Sequence, residues 1–259
     1  MVPSQDGECT FTLKEGGRCP FLNDDNLCDL YIELGEDKLC ETCAEFPRFI
    51  NDYGNIREIG IAPSCKTAGE LMFSYKDELT FDTAEDNSLT PEPNDIDAYT
   101  YMQLRQARIV AFGIISDRDI SIFERLMLYL DYAKRIQKHL DAERDELIAG
   151  VAKRFCGADY REELLDKLKS RDEKLHGKRL IKGLRHFFDD FKGMEVINPD
   201  WNIHVARVRQ FLDGLADDSG LAAVMKTYHA GSEAFAHEYE QLAMYYVYRY
   251  CLLYTSDAA

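Results

Sequence analysis

The chain predicts a mostly α protein, with a small, loop-rich cysteine-cluster module followed by an all-helical domain. Six of its eight cysteines fall within the first 65 residues. Beyond about residue 95, apolar residues recur at three- and four-residue steps, the period of a helix with one buried face. No alternation of strands and helices accompanies them, so a doubly wound parallel sheet is not indicated. A length of 259 residues is enough for one large domain or two small ones, with a sizeable core.

Residues 1–75 form the cysteine-rich module. Short apolar pieces (Phe11–Leu13, Phe21–Leu22, Leu30–Ile32, Ile59–Ala62) alternate with Gly-Gly, Asn-Asp-Asp-Asn and Asn-Asp-Tyr-Gly turn signals. Such pieces bury little area, and a metal or a cross-link would help to hold them. Residues 76–97 are acidic, contain Pro91 and Pro93, and read as a linker. Residues 98–259 read as the helical domain. The first helical pattern, over 96–115, places Ile96, Tyr99, Leu104, Ala107, Ala111 and Ile114 on one side. Ser116-x-x-Asp119 then has the form of a capping box. A second stripe runs through Ile122, Leu126, Leu130, Ala133, Ile136 and Leu140. Further helices are expected over 159–170, 174–192, 201–216 and 220–253, with Trp201 opening one and packing in the core. The last residues carry no Gly cap or closing turn, so the natural protein is expected to continue past them.

A formal charge of −16 argues against nonspecific nucleic-acid binding and against docking on an anionic membrane. No apolar run is long enough to span a bilayer. The first residues have neither the basic nor the apolar region of an export signal. A cytoplasmic protein with reduced thiols is therefore expected.

The thiols are Cys9, Cys19, Cys28, Cys40, Cys43 and Cys65, with one close Cys-x-x-Cys pair at Cys40/Cys43. No histidine occurs before His139, so a metal in this module would be held mainly by sulfur. Thiolates suit zinc, copper(I) and iron–sulfur clusters. Residues 1–65 hold 13 acidic side chains against 5 basic ones, and a bound cation would relieve that repulsion. Zinc usually favours two close pairs; single cysteines on separate loops also suit an iron–sulfur cluster. Buried reduced thiols, or disulfides in an exported protein, are the alternatives.

The words around these cysteines are more specific than their spacing. Gly17-Arg18-Cys19-Pro20-Phe21-Leu22, Leu27-Cys28-Asp29-Leu30-Tyr31, Leu39-Cys40-Glu41-Thr42-Cys43 and Phe46-Pro47-Arg48 occur in that order. Together they resemble the cysteine block of the flagellin lysine-N-methylase family. Ser64-Cys65 stands where that family has a Ser-Cys-Pro-Glu element, with Lys66-Thr67 here in place of Pro-Glu. The resemblance covers about residues 17–70. It implies methyl transfer from S-adenosylmethionine to lysine ε-amines of flagellin, and an iron–sulfur cluster, of 4Fe-4S type, in the cysteine module. Carried over by position, its candidate ligands are Cys19, Cys28, Cys40, Cys43 and Cys65. It also implies further sequence at both ends. Zinc remains the alternative metal, and a non-catalytic, metal-stapled helical binding module the alternative function.

Methylation of lysine needs the neutral amine, because the ammonium, with a pKa of about 10.4, has no lone pair. Glu240, Tyr245, Tyr246 and Tyr248 near the end of the chain are of suitable types to orient an amine, although aromatic residues on one helix commonly serve as core. No Gly-x-Gly-x-x-Gly turn marks a Rossmann-type cofactor site. Residues 167–192 carry nine basic side chains against four acidic ones, an anion site, a docking face or a solvated helical face.

Overall fold

Short elements joined by hydrogen-bonded turns build the first of two units, Met1–Gly69; helices build the second, Glu70–Ala259. The structure, a computed structural model, describes residues 2–3, 9–88, 97–175, 178–194, 196, 200–215, 220, 223–224, 226–228, 231 and 233–250. The end of the chain beyond residue 250, residues 89–96 with the two prolines, and most of 216–232 lie outside it.

In the first unit, Val2–Pro3 (β1) pairs antiparallel with Cys9–Thr10 (β2). A tight turn follows over Glu15–Gly17, where Gly16 and Gly17 both take positive φ, 74° and 75°, a region that favours glycine. Helices Asp29–Leu34 (α1) and Glu41–Glu45 (α2) come next, α1 ending at Gly35 with φ 86°. The predicted Asn-Asp-Tyr-Gly turn joins a hairpin of Arg48–Asp52 (β3) and Arg57–Ile61 (β4). Arg57 clamps Asp52 across its mouth with two bonds of 2.6 and 3.0 Å. Phe49 lies opposite Gly60 in the register. Its ring occupies the space a side chain at Gly60 would need, with Cζ 2.2 Å from where a Cβ would stand. Lys66–Ser74 (α3) follows.

In the second unit, Ala98–Ile115 (α4) packs against Ile122–Leu140 (α5), Ile148–Phe155 (α6) and Ala236–Arg249. Ala158–Leu175 (α7) packs on α5 and α6, while Lys178–Asp190 (α8) packs on Asp200–Gly214 (α9); the helix Ala236–Arg249 is α10. The core lies where α4, α5, α6 and α10 meet. It contains Leu104, Ala107, Ala111, Ile114, Ile115, Leu128, Tyr132, Ile136, Ile148, Phe155, Met244 and Val247. Among the described residues no helix is long and apolar enough to cross a membrane.

The mostly α expectation holds, and three details of the helical reading are corrected. The capping box is Ser121/Glu124, not Ser116/Asp119. Ser121 Oγ accepts from the Glu124 N–H at 3.3 Å, and Glu124 returns a bond to the Ser121 N–H at 2.8 Å. Ser116 instead closes α4. The buried stripe of α5 runs Ile122, Arg125, Leu128, Tyr129, Tyr132, Ile136, while Leu130 is 62% exposed. The reading by apolarity alone drifted because one residue on the true stripe is an arginine. Trp201 does open α9, but it is 40% exposed and packs edge-on against Phe191. The stretch read as a linker is described at 76–88, where Phe81 stacks on both Phe112 and Tyr248.

Candidate functional site

The thiols sit at turns and at the starts of short helices. Between Cys19 and Cys28 the chain folds back at Asn23–Asn26. Asn23 Oδ1 accepts from the N–H groups of Asp25 and Leu27 at 3.1 and 3.0 Å, an Asx turn. Arg18 ties this loop down, donating to Asn26 Oδ1 at 2.5 Å and to the Asn23 carbonyl. An antiparallel bridge between Leu22 and Cys28 closes it. Cys28 caps α1 and Cys40 caps α2, so that Cys43 lies one turn into α2, its N–H bonded to the Cys40 carbonyl at 2.9 Å. Cys65 immediately precedes α3 and accepts from the Gly69 N–H at 2.9 Å.

Electrostatics link Cys40 and Cys43, with Cys19 and Cys28 acting on Cys43 from further away. Hydrogen bonds from the Cys43 backbone and thiol hold the exposed Cys40 thiol below its ordinary range. The Cys43 thiol is pushed up, first by its bond to Cys40 and by burial, then by the nearby thiols of Cys40, Cys19 and Cys28. The Cys43 thiol is therefore the one that resists a second negative charge beside Cys40. All five are free, as is Cys156, which is exposed at the end of α6. Among the described residues no three His, Cys, Asp or Glu side chains are arranged to hold a metal ion. The donor type itself suits a soft metal: free thiols, two of them hydrogen-bonded at Cys40/Cys43, and no disulfide among them.

Glu240, named in the sequence as a candidate for handling an amine, is buried on α10 between two arginines. Arg125 Nη1 donates to Oε2 at 2.5 Å; Arg118 donates from Nε and Nη2 to the same carboxylate, the shortest bond being 2.7 Å. Burial alone would raise this carboxyl, but the bonds from Arg118 and Arg125 outweigh it and hold the carboxyl below the usual range. Glu240 is thus ionised and engaged on both oxygens. Arg125, itself buried, also donates to the carbonyls of Ile115 and Ile120, locking the α4–α5 turn to α10. Neither arginine was singled out from the sequence. Arg125 left one trace, its place three residues after Ile122 on the apolar stripe.

The three candidate tyrosines part company. Tyr248 packs inward against Phe81 at 5.0 Å, with the buried Arg108 guanidinium over its ring at 5.5 Å. Tyr245 and Tyr246 gather instead with Tyr250, ring centroids 5.4 to 6.4 Å apart. This cluster receives a cation: Arg249 lies 4.8 Å over the Tyr250 ring and donates to Tyr245 Oη at 2.5 Å. Three of the basic side chains described in the stretch 167–192 meet carboxylates. Lys167 pairs with Glu163, Lys169 with Glu124 and Arg185 with Asp213.

A thiol-rich unit followed by a helical unit whose last described helix is anchored by a buried ion cluster defines a class: a helical protein with a cysteine-module partner. Residues 108–259, more than half of the chain, match the FliB lysine N-methylase C-terminal domain, and the chain belongs to that family. The match takes in α5 to α10, Arg118, Arg125, Glu240 and the tyrosines, and lies wholly outside the cysteine words. Searches of curated proteins and of solved structures return no match.

Proposed function

We propose that this chain is a protein-lysine N-methyltransferase that transfers methyl groups from S-adenosylmethionine to lysine ε-amines of flagellin, and that its cysteine module holds an iron–sulfur cluster. Membership of the FliB lysine N-methylase family is the observation that carries this reading. The ordered cysteine words, in a part of the chain that the family match does not cover, support it separately.

S-adenosylmethionine, when bound, supplies an electrophilic methyl group and leaves as the neutral thioether with the former C–S electron pair. The protein must deliver the amine deprotonated and in line. Glu240 is poorly suited to take the ammonium proton, since its carboxyl is held low and both oxygens are engaged. Its part is to hold α10 in place. Tyr245 and Tyr246, with Tyr250, form the group best suited to meet a lysine side chain, because that cluster already accommodates the cationic end of Arg249. In the first unit, Cys19, Cys28, Cys40 and Cys43 are the thiols that would hold the cluster, and Cys65 is the spare.

The test is incubation of the protein, purified without oxygen, with flagellin and isotopically labelled S-adenosylmethionine, followed by mass spectrometry of flagellin lysines. Label on lysine, reduced at least about tenfold in Tyr245→Ala/Tyr246→Ala, is the expected result. A protein that holds metal yet neither binds S-adenosylmethionine nor labels flagellin would sink the enzymatic reading.

A further inference from the structure

A cavity of about 220 Å³ opens between the end of α5, the α5–α6 connection, α6 and the start of α7. Five basic side chains line it: Arg135, Lys138 and His139 from α5, Arg144 from the connection and Arg154 from α6. No carboxylate does. In a chain of net charge −16 this is an unusual concentration of one sign. Arg135 is paired with Asp131 at 2.5 Å, outside the cavity lining. No carboxylate among the described residues pairs with Lys138, His139, Arg144 or Arg154. His139 Nδ1 is buried with no hydrogen-bond partner. The remaining wall is apolar and aromatic, made by Val151, Phe155 and Tyr160, with Phe155 edge-on to Tyr160 at 5.3 Å.

Basic residues near helix C-termini often serve only to offset the helix dipole. That accounts for Lys138 and His139 in the last turn of α5 and Arg154 in the last turn of α6. It does not account for their convergence with Arg144 on one cavity, nor for a buried imidazole nitrogen left without a partner. Like charges held together in a partly enclosed site repel one another unless an anion is shared among them. Arginines supply forked N–H donors that match phosphate oxygens, and an aromatic wall suits an apolar or planar body. The volume is smaller than the roughly 300–1,000 Å³ typical of drug-sized pockets, so the occupant is small.

We propose that this cavity is a binding site for a small organic phosphate, its dianionic head among Lys138, His139, Arg144 and Arg154 and its apolar body against Val151, Phe155 and Tyr160. The site is separate from that for the methyl donor, since the sulfonium and ammonium groups of S-adenosylmethionine leave it net positive and ill-matched to this lining. The inference stands on the cavity alone and survives if the methyltransferase reading fails.

The test is calorimetric titration of the full chain with phenyl phosphate, inorganic phosphate and benzylammonium. Phenyl phosphate should bind at least about tenfold more tightly than inorganic phosphate, and benzylammonium not at all. Arg144→Gln/Arg154→Gln, both exposed positions, should weaken phenyl phosphate by about tenfold or more, with the circular dichroism spectrum unchanged. Lys167→Gln, on α7 away from the cavity, should leave binding as it is. Absence of phenyl phosphate binding to the unaltered protein would overturn the proposal, as would equal binding of benzylammonium, equal affinity for inorganic phosphate, or displacement of phenyl phosphate by S-adenosylmethionine.

Discussion

Replacing Glu240 by Gln keeps the shape of the side chain and removes the one carboxylate that both Arg118 and Arg125 address. The two arginines are not equivalent. The Arg125 side chain is 5% exposed, so losing its counter-charge leaves a buried cation uncompensated, which costs about 3–5 kcal/mol. The Arg118 side chain is 45% exposed, and water screens most of its share, about 0–1 kcal/mol. Against a typical total of about 5–15 kcal/mol, the Glu240 change is severe and Arg118→Gln is mild. In a unit of this size one kcal/mol moves Tm by about 2–4 °C, so Glu240→Gln should lower it by about 6–20 °C and Arg118→Gln by no more than about 4 °C. Thermal unfolding followed at 222 nm reads the helical unit. The pH dependence has a definite sign: the folded carboxyl is held below the ordinary value of about 4.3, so the unfolded state binds the proton more readily. The contribution is complete above that value and disappears as pH falls through the lower, folded one. Wild-type Tm should therefore drop more steeply below about pH 4.3 than that of the variant. Equal losses for Glu240→Gln and Arg118→Gln at neutral pH would refute the buried-pair account.

Gly60→Ala puts a methyl group into the Phe49 ring, at 2.2 Å from Cζ, and should destabilise the β3–β4 hairpin by about 1–3 kcal/mol. Faster amide exchange over residues 48–61 is the readout, and unchanged protection would count against it. Ser121→Ala removes one half of the capping box and should cost about 1 kcal/mol, seen as a Tm lower by about 2–4 °C; a Tm within error of wild type would show the cap to be idle. Anaerobically purified protein should carry iron and acid-labile sulfide in near-equal amounts, lost in Cys40→Ser/Cys43→Ser and kept in Cys156→Ser. Cys65→Ser should keep them as well; loss there would mean that Cys65, not one of the converging four, completes the ligand set.

The helical half of the fold was readable because its signal is periodic and local. α4 shows it well: Leu104, Ala107, Ala111 and Ile114 are four of the positions the pattern named, and all four are buried. The errors share one cause. Ser116/Asp119 matched the capping form in residue type, yet the backbone reaches the helix start only at Ser121, after the turn that Arg125 braces through the Ile115 and Ile120 carbonyls. Leu130 and Tyr99 are apolar but exposed, and Arg125 and Arg108 are charged but buried. A pattern scored on hydrophobicity misplaces all four residues. What buries the arginines is a partner more than a hundred positions away: Glu240 for Arg125, the Tyr248 ring and carbonyl for Arg108.

The candidate site divides along the same line. The cysteine words could be read directly because thiol chemistry is carried by residue type and order, and the fold then brings Cys19 and Cys28 near the Cys40/Cys43 turn. Glu240 was chosen for its type, and type alone could not reveal that two guanidinium groups occupy it. The basic cavity shows the converse. Its residues come from four successive elements and are interleaved in sequence with Asp141, Glu143, Asp145 and Glu146, so that no basic run marks it. In the run that the sequence does display, over 167–192, Lys167, Lys169 and Arg185 are paired with acids. Net charge along a segment therefore says little about where an anion would bind. What decides it is where the fold gathers cations that no carboxylate meets, as it does with Lys138, His139, Arg144 and Arg154 around one cavity.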